Sequence, residues 1–467
     1  MKRLLLSSLL VLSATPLLAG TGKFVIINND PAGVGFNDPT PRTPVGGNPG
    51  TTLGQQRMNV LQQAAARWAA ALDTNVDIRV RAQFNSLECD ATSAVLASAN
   101  SQTWSESFTN APRPNVWYPA ALANKFAGRD LNTATDDIFI QFNRDLDGPT
   151  CFGDRGFYYG LDTKEGDETS MFTTAMHEMA HGLGMSGRGS DFVSNKPSIF
   201  DIYTLDRAAG RTWDQLSTQQ RQISGTNTSN LVWNGPNVTA KAAQTLERAT
   251  VFTVTGPANV ARNYDIGTAS FGAAANRSAI AGTVVAARDA ANEEGPTTLD
   301  GCTAYENASE VAGRIAIVDR GVCTFVVKAQ QAQAAGATAL VIVDNRKDTC
   351  LPPSMAGNSD VVTIPVISLT QDEGTALRNA SSVNAMLRVD PSRFSGASPE
   401  GYVRLYAPCT FSGGSSLYHW DTPATPNLLM EPSINSDLID SLDLSLFQMM
   451  DIGWTQPPRT GRRVLHR

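Results

Sequence analysis

The stretch TSMFTTAMHEMAHGLGM, Thr169 to Met185, constrains this chain more than any other. Within it His177, Glu178 and His181 stand in the H-E-x-x-H arrangement. In a helix the two histidines are one turn apart, so both imidazoles leave the same face and can reach a single metal ion. Zinc is the expected ion, because imidazole binds it at about 2.0 Å and a catalytic site takes three protein ligands with a fourth position left for water. Glu178 stands beside the ion rather than on it. There it can accept a proton from a water whose pKa the cation lowers to about 7. Asp167, Thr169 or Ser170 can cap the start of the helix, and Met171, Ala175 and Met179 form an apolar stripe offset from the metal face. Gly182 and Gly184 are expected to end it, letting the chain turn sharply beneath the metal. The chain has 4 histidines in all, and two of them fall in this one pattern.

With 467 residues the chain is long enough for two or three domains, each with its own core. A formal net charge of -7 gives no electrostatic reason to expect nucleic acid or an anionic membrane as partner. At the N-terminus, Lys2 and Arg3 precede an apolar core from Leu4 to about Leu12, with a small residue at Ala19, which reads as a cleavable secretory signal over residues 1–19. That run is too short and too broken by Ser13, Thr15 and Pro16 to anchor in a membrane, and no later stretch is apolar enough to span one. The mature protein is therefore expected outside the cytoplasm, secreted, or periplasmic if a Gram-negative host retains it. An even number of cysteines, 6, in an exported chain favours disulfides over thiol chemistry, and no C-x-x-C occurs. The sequence carries no signature of an oligomeric state.

In chain order, Lys23 to Asp30 reads as a strand, Arg57 to Leu72 as a helix with Val60, Ala64, Trp68 and Leu72 on one face, and Val76 to Phe84 as a half-buried strand. A helix after Pro119 and a strand from Asp136 to Asn143 lead to the H-E-x-x-H helix. This describes an α+β catalytic domain built on a twisted sheet and an active-site helix. From about Val251 the texture changes to Ala/Val/Gly-rich strands, with a β-α-β unit formed by Gly313–Gly321, Phe325–Ala337 and Thr338–Asn345. Asp319, Arg320 and Gly321, then Cys323, Phe325 and Lys328, then Ala332, Ala335, Gly336 and Ala337, and finally Thr363, Ile364 and Pro365 make this α/β block resemble the protease-associated (PA) domain. The resemblance implies a non-catalytic module that mediates contacts or restricts substrate access. The expected organisation is a signal at 1–19, a first catalytic part at 20–248, the inserted PA domain at 249–391, a second catalytic part at 392–456, and a basic tail at 457–467. Cys302 is expected to pair with Cys323 inside the insertion and Cys89 with Cys151 in the catalytic part, leaving Cys350 for Cys409.

Two histidines on one helix leave zinc one protein ligand short. Three positions come into question. The place three residues past Gly184 is Gly187, which cannot coordinate; Asp201 lies on a following segment, where a capping role is the alternative; His419 comes only after the inserted block. His419 is followed by Met430 in a Pro-bounded turn. With Gly184 ending the metal helix, this pattern is similar to leishmanolysin-like metzincins, in which an insertion separates the metal helix from a late third histidine and a methionine turn lies beneath the metal. The resemblance implies zinc held by His177, His181 and His419, Glu178 as general base, and hydrolysis of peptide bonds in protein or peptide substrates by a secreted zinc endopeptidase. Tyr418, Tyr158 and Tyr159 are eligible to stabilise the oxyanion. The alternative is a catalytically weak or inactive secreted binding protein acting through the PA domain.

Overall fold

A computed structural model describes residues 21–457, apart from 92, 163, 189–195, 275–278, 292, 294–295, 348–349, 356, 434–437 and 439–440. The expected signal segment, His466 and all but the first residue of the basic tail lie outside the described residues. One compact unit is built from the chain up to Pro114, Tyr118–Gly184 and the chain from Gly453; the other from Asn115–Trp117 and Met185–Ile452.

In the first unit, a four-stranded sheet carries β1 (Phe24–Asn28), β2 (Ile78–Asn85), β3 (Ala97–Ser101) and β4 (Ile138–Asn143) in the order β1-β2-β4-β3. β1, β2 and β4 run parallel, and β3 closes the edge antiparallel to β4. Ile78, Val80, Ala82 and Phe84 alternate inward along β2, the period of a sheet with one face on the core. Helix α1 (Leu53–Ala71) begins at Thr52, whose side chain accepts the Gln55 N–H, and buries Val60, Ala64 and Trp68. After α2 (Ala120–Ala127), α3 (Met171–Leu183) packs between α1 and the β3–β4 edge.

The second unit contains a small antiparallel sheet with strands Thr204–Asp206, Leu231–Trp233 and Val403–Arg404, and an eight-stranded sheet with a parallel core. That core consists of β5 (Ile280–Ala286), β6 (Ile315–Asp319), β7 (Ala339–Val343) and β8 (Val366–Leu369). Ile315 and Ile317 face one apolar layer with Val341, Leu369 and Leu377, while Ala316 and Val318 face the other with Leu340, Ala329 and Ala332. Coverage on both faces explains why these strands read as continuous apolar runs. Helix α4 (Phe325–Ala334) connects β6 to β7 as the β-α-β pattern requires. β8 begins at Val366, after the Thr363–Pro365 motif, since proline offers no N–H to the ladder and Pro365 contributes only its carbonyl, to Leu340 N–H at 3.0 Å. The strands Arg248–Gly256 and Asn384–Phe394 lie side by side, with Thr250 opposite Val389, so the chain enters and leaves this sheet through neighbouring strands. The disulfides are Cys89–Cys151, Cys302–Cys323 and Cys350–Cys409.

Candidate metal centre

Ser170 is the residue that caps α3, its side chain accepting the Thr173 N–H at 3.2 Å. Of the helix, only Thr173 and His177 are more than marginally accessible, so the apolar stripe seen in the sequence is part of a nearly all-round burial. Two indoles from distant parts of the unit fix the helix axially. Trp68 Nε1 donates to the Met176 carbonyl and Trp454 Nε1 to the Leu183 carbonyl, each at 3.0 Å. The second satisfies a carbonyl that a helix C-terminus otherwise leaves without a partner. Gly182 does not end the helix, contrary to the sequence expectation. It packs directly against the sheet, where a Cβ would stand 2.4 Å from Ile138 Cγ2. Gly184 performs the turn, at φ 139°.

On this helix His177 Nε2 and His181 Nε2 lie 3.1 Å apart, their rings nearly perpendicular at 77°. At that spacing two imidazoles either share one proton or aim both lone pairs at one cation. Glu178 is buried, and burial alone pushes its carboxyl up to about 8. Its Oε2 has no hydrogen-bond partner among the described residues. A buried carboxyl left in that state is a functional candidate, because a structural one is ordinarily paired.

His419 belongs to a tightly hydrogen-bonded segment of the second unit. Its ring is 4 % exposed and its Nδ1 lies 2.7 Å from the Ser415 carbonyl oxygen, so Nδ1 carries the proton and Nε2 keeps the lone pair. Its carbonyl accepts the Tyr406 N–H at 2.9 Å, and the next residue, Trp420, donates its N–H to the Met430 carbonyl at 2.8 Å. Met430 is wholly buried, in a turn closed by Leu428 N–H to Glu431 Oε1 at 2.8 Å.

His177 and His181 present their ring nitrogens from one face of α3 in the first unit, and His419 stands in the second unit with its Nδ1 fixed by the Ser415 carbonyl. The other positions weighed for a third ligand are otherwise engaged. A Cβ on Gly187 would fall 2.0 Å from the Tyr418 hydroxyl, which leaves no room there for a histidine. Asp201 Oδ2 accepts the Ser198 N–H at 2.7 Å, a local cap. Two of the tyrosines eligible for the oxyanion are also committed. The Tyr159 hydroxyl is buried between Asp147 and Arg57, and the Tyr158 hydroxyl donates to Asp162 Oδ1 at 2.6 Å, which pushes it up to about 12. The Ser415 carbonyl and the two indoles escaped the sequence reading. Ser415, four residues before His419, was the one with a local signal.

The PA domain family matches residues 280–377, so the chain carries a PA domain. Similar proteins include signal peptide peptidase-like 2 of Arabidopsis thaliana, 39% identical over 93 residues (19% of this chain and 17% of that protein). An aminopeptidase of Pseudomonas aeruginosa is 38% identical over 104 residues (21% and 19%), and aminopeptidase YwaD of Bacillus subtilis 29% identical over 153 residues (29% and 32%). Among solved structures, BSAP, a zinc aminopeptidase from Bacillus subtilis, is matched at 21% identity over 33% of this chain and 36% of that one, with a TM-score of 0.23. The chain thus spans 17% to 32% of these curated relatives. Among the described residues no helix is long and apolar enough to cross a membrane.

Proposed function

We propose that this chain is a secreted zinc-dependent endopeptidase of the leishmanolysin-like metzincin type, acting on proteins or peptides. The observation that carries the reading is the His177–His181 pair on α3, its Nε2 atoms 3.1 Å apart, with the buried Glu178 carboxyl, whose Oε2 has no hydrogen-bond partner among the described residues, next to its first member. Three neutral imidazoles fit zinc's preference for nitrogen ligands and leave a coordination position for water. When bound, zinc would polarise the scissile carbonyl and acidify the attacking water. His177 and His181 would hold it from the helix, and His419 would do so through Nε2, its ring fixed by the Ser415 carbonyl. Glu178 would take the water's proton and return it to the leaving amine. The three disulfides fit an oxidising compartment. The PA domain would govern access of substrate to the site. Glu178 and all three histidines are present, which speaks against the alternative of an inactive binding protein.

The relatives named as aminopeptidases act at chain ends, so the test must separate the two modes. Purified protein is given casein and a peptide with a blocked N-terminus, with and without a zinc chelator. Internal cleavage of the blocked peptide, abolished by chelator and restored by zinc, is the expected result. Release of single residues from free N-termini alone would contradict the endopeptidase assignment, and chelator-insensitive cleavage would contradict the metal.

A further inference from the structure

The two sulfurs of the Cys302–Cys323 bridge occupy opposite environments. Cys302 is 3% exposed, and the wholly buried Lys328 places its Nζ 3.4 Å from the Cys302 Sγ. That amine also donates to the Asp300 carbonyl oxygen at 2.5 Å, and among the described residues it hydrogen-bonds no carboxylate. Burial lowers its pKa, while Asp300, Asp289 and Asp319 nearby oppose the effect. Cys323, by contrast, is half-buried on the wall of an open cavity of about 460 Å³ shared with Arg320, Val322, Thr324 and Phe325. Beside it Val322 is 66% exposed at φ 54°, a left-handed conformation that a β-branched residue rarely adopts. At the Cys350–Cys409 bridge, Cys350 Sγ accepts from the Thr228 hydroxyl at 3.3 Å and the Cys409 N–H at 2.9 Å.

Thiol–disulfide exchange is fastest when the accessible sulfur is attacked and the departing one is stabilised as thiolate. A neighbouring ammonium supplies that stabilisation. We propose that Cys323 is a thiol-exchange site for small thiols, with Cys302 as the leaving group and Lys328 as its counter-charge. An incoming thiolate, its proton released to water, forms a new S–S bond to Cys323 Sγ. The Cys302–Cys323 bond breaks, and its electron pair departs on Cys302 Sγ beside the Lys328 ammonium. A second thiol can then attack the bound small-molecule sulfur, releasing the small disulfide and leaving both cysteines reduced.

The test treats the intact, folded protein with reduced glutathione, quenches with an alkylating agent, and maps the modified cysteines by peptide mass spectrometry. Glutathione on Cys323 with alkylated Cys302 is the expected pattern. Lys328→Met should slow opening of this bridge about tenfold while Cys350–Cys409 exchanges at its original rate, and Lys328→Arg should recover most of the rate. Glutathione on Cys302, no adduct on either cysteine, or a Lys328→Met rate equal to or above that of the unaltered protein would overturn the proposal. The position of the adduct in the unaltered protein decides the matter even if the Lys328 variants fold poorly.

Discussion

Replacing Gly182 by alanine sets two physical effects against each other. In an exposed helix interior the change stabilises by up to about 1 kcal/mol, because glycine gives up more backbone freedom on folding. Here the new methyl would meet Ile138 Cγ2 at 2.4 Å and Cγ1 and Cδ1 at 2.8 Å. Ile138 is wholly buried on β4, paired on one side with Val80 and on the other with Ser101, so it cannot swing away without moving the sheet. Overpacking of this kind costs about 1–3 kcal/mol, and with three atoms inside contact distance the net is about 1–2 kcal/mol of destabilisation. Hydrogen exchange of the peptide spanning Met171–Leu183 should therefore quicken roughly 5- to 30-fold. Ile138→Ala alone should cost about 2–5 kcal/mol through the cavity it leaves. In the double variant the alanine methyl at 182 fills part of that cavity, so the two effects should sum to less than their separate values by about 1 kcal/mol or more. A neutral or protective Gly182→Ala, or strict additivity with Ile138→Ala, would refute the close-packing argument and return Gly182 to the role of a helix terminator.

Three further outcomes follow from other groups. Glu178→Gln keeps shape and ligands but removes the base, so zinc content should hold while peptide hydrolysis falls roughly 10²- to 10⁴-fold; a near-normal rate would remove Glu178 from the chemistry. Asp137 is pushed up to about 6, by burial first and then by Asp130 and Asp136, against the Arg79 N–H that it accepts. Between the unfolded value of 3.8 and about 6 the native protein holds a proton that the unfolded chain has lost, so stability should fall as pH rises through that window. Urea unfolding across this range should show the slope in the unaltered protein and a flatter one in Asp137→Asn; equal slopes would count against it. Arg57 is buried against Asp147 Oδ2 at 2.6 Å, the Gly35 carbonyl at 2.9 Å and the Phe84 ring at 4.0 Å, so Arg57→Ala should lower the urea midpoint by the equivalent of roughly 3–5 kcal/mol. A change below about 1 kcal/mol would mean that Asp147 finds other partners.

What could be read from the sequence was whatever a local spacing encodes. Helix α3 follows from H-E-x-x-H and its flanking apolar residues, and the β-α-β unit from three adjacent segments whose periodicity changes in turn. The pairing of Cys302 with Cys323 lay within one recognisable block. What could not be read depends on residues brought together from far apart. Gly182 looks like a helix stop until Ile138 is placed against it. Tyr158 and Tyr159 look available until Asp162, Asp147 and Arg57 claim their hydroxyls. Trp68 and Trp454 lie 108 and 271 residues from the carbonyls they satisfy, and no pattern links either pair. Three residues were eligible to cap α3, and backbone geometry alone selects Ser170.

The central claim is that one metal ion is held by His177, His181 and His419. Zinc per chain, measured by elemental analysis after exhaustive dialysis of the unaltered protein, His419→Ala and Asp201→Ala, tests it most directly. About one zinc in the first and third, with little retained by His419→Ala, is the predicted result. Full zinc in His419→Ala, or its loss in Asp201→Ala, would contradict the account and move the third ligand elsewhere.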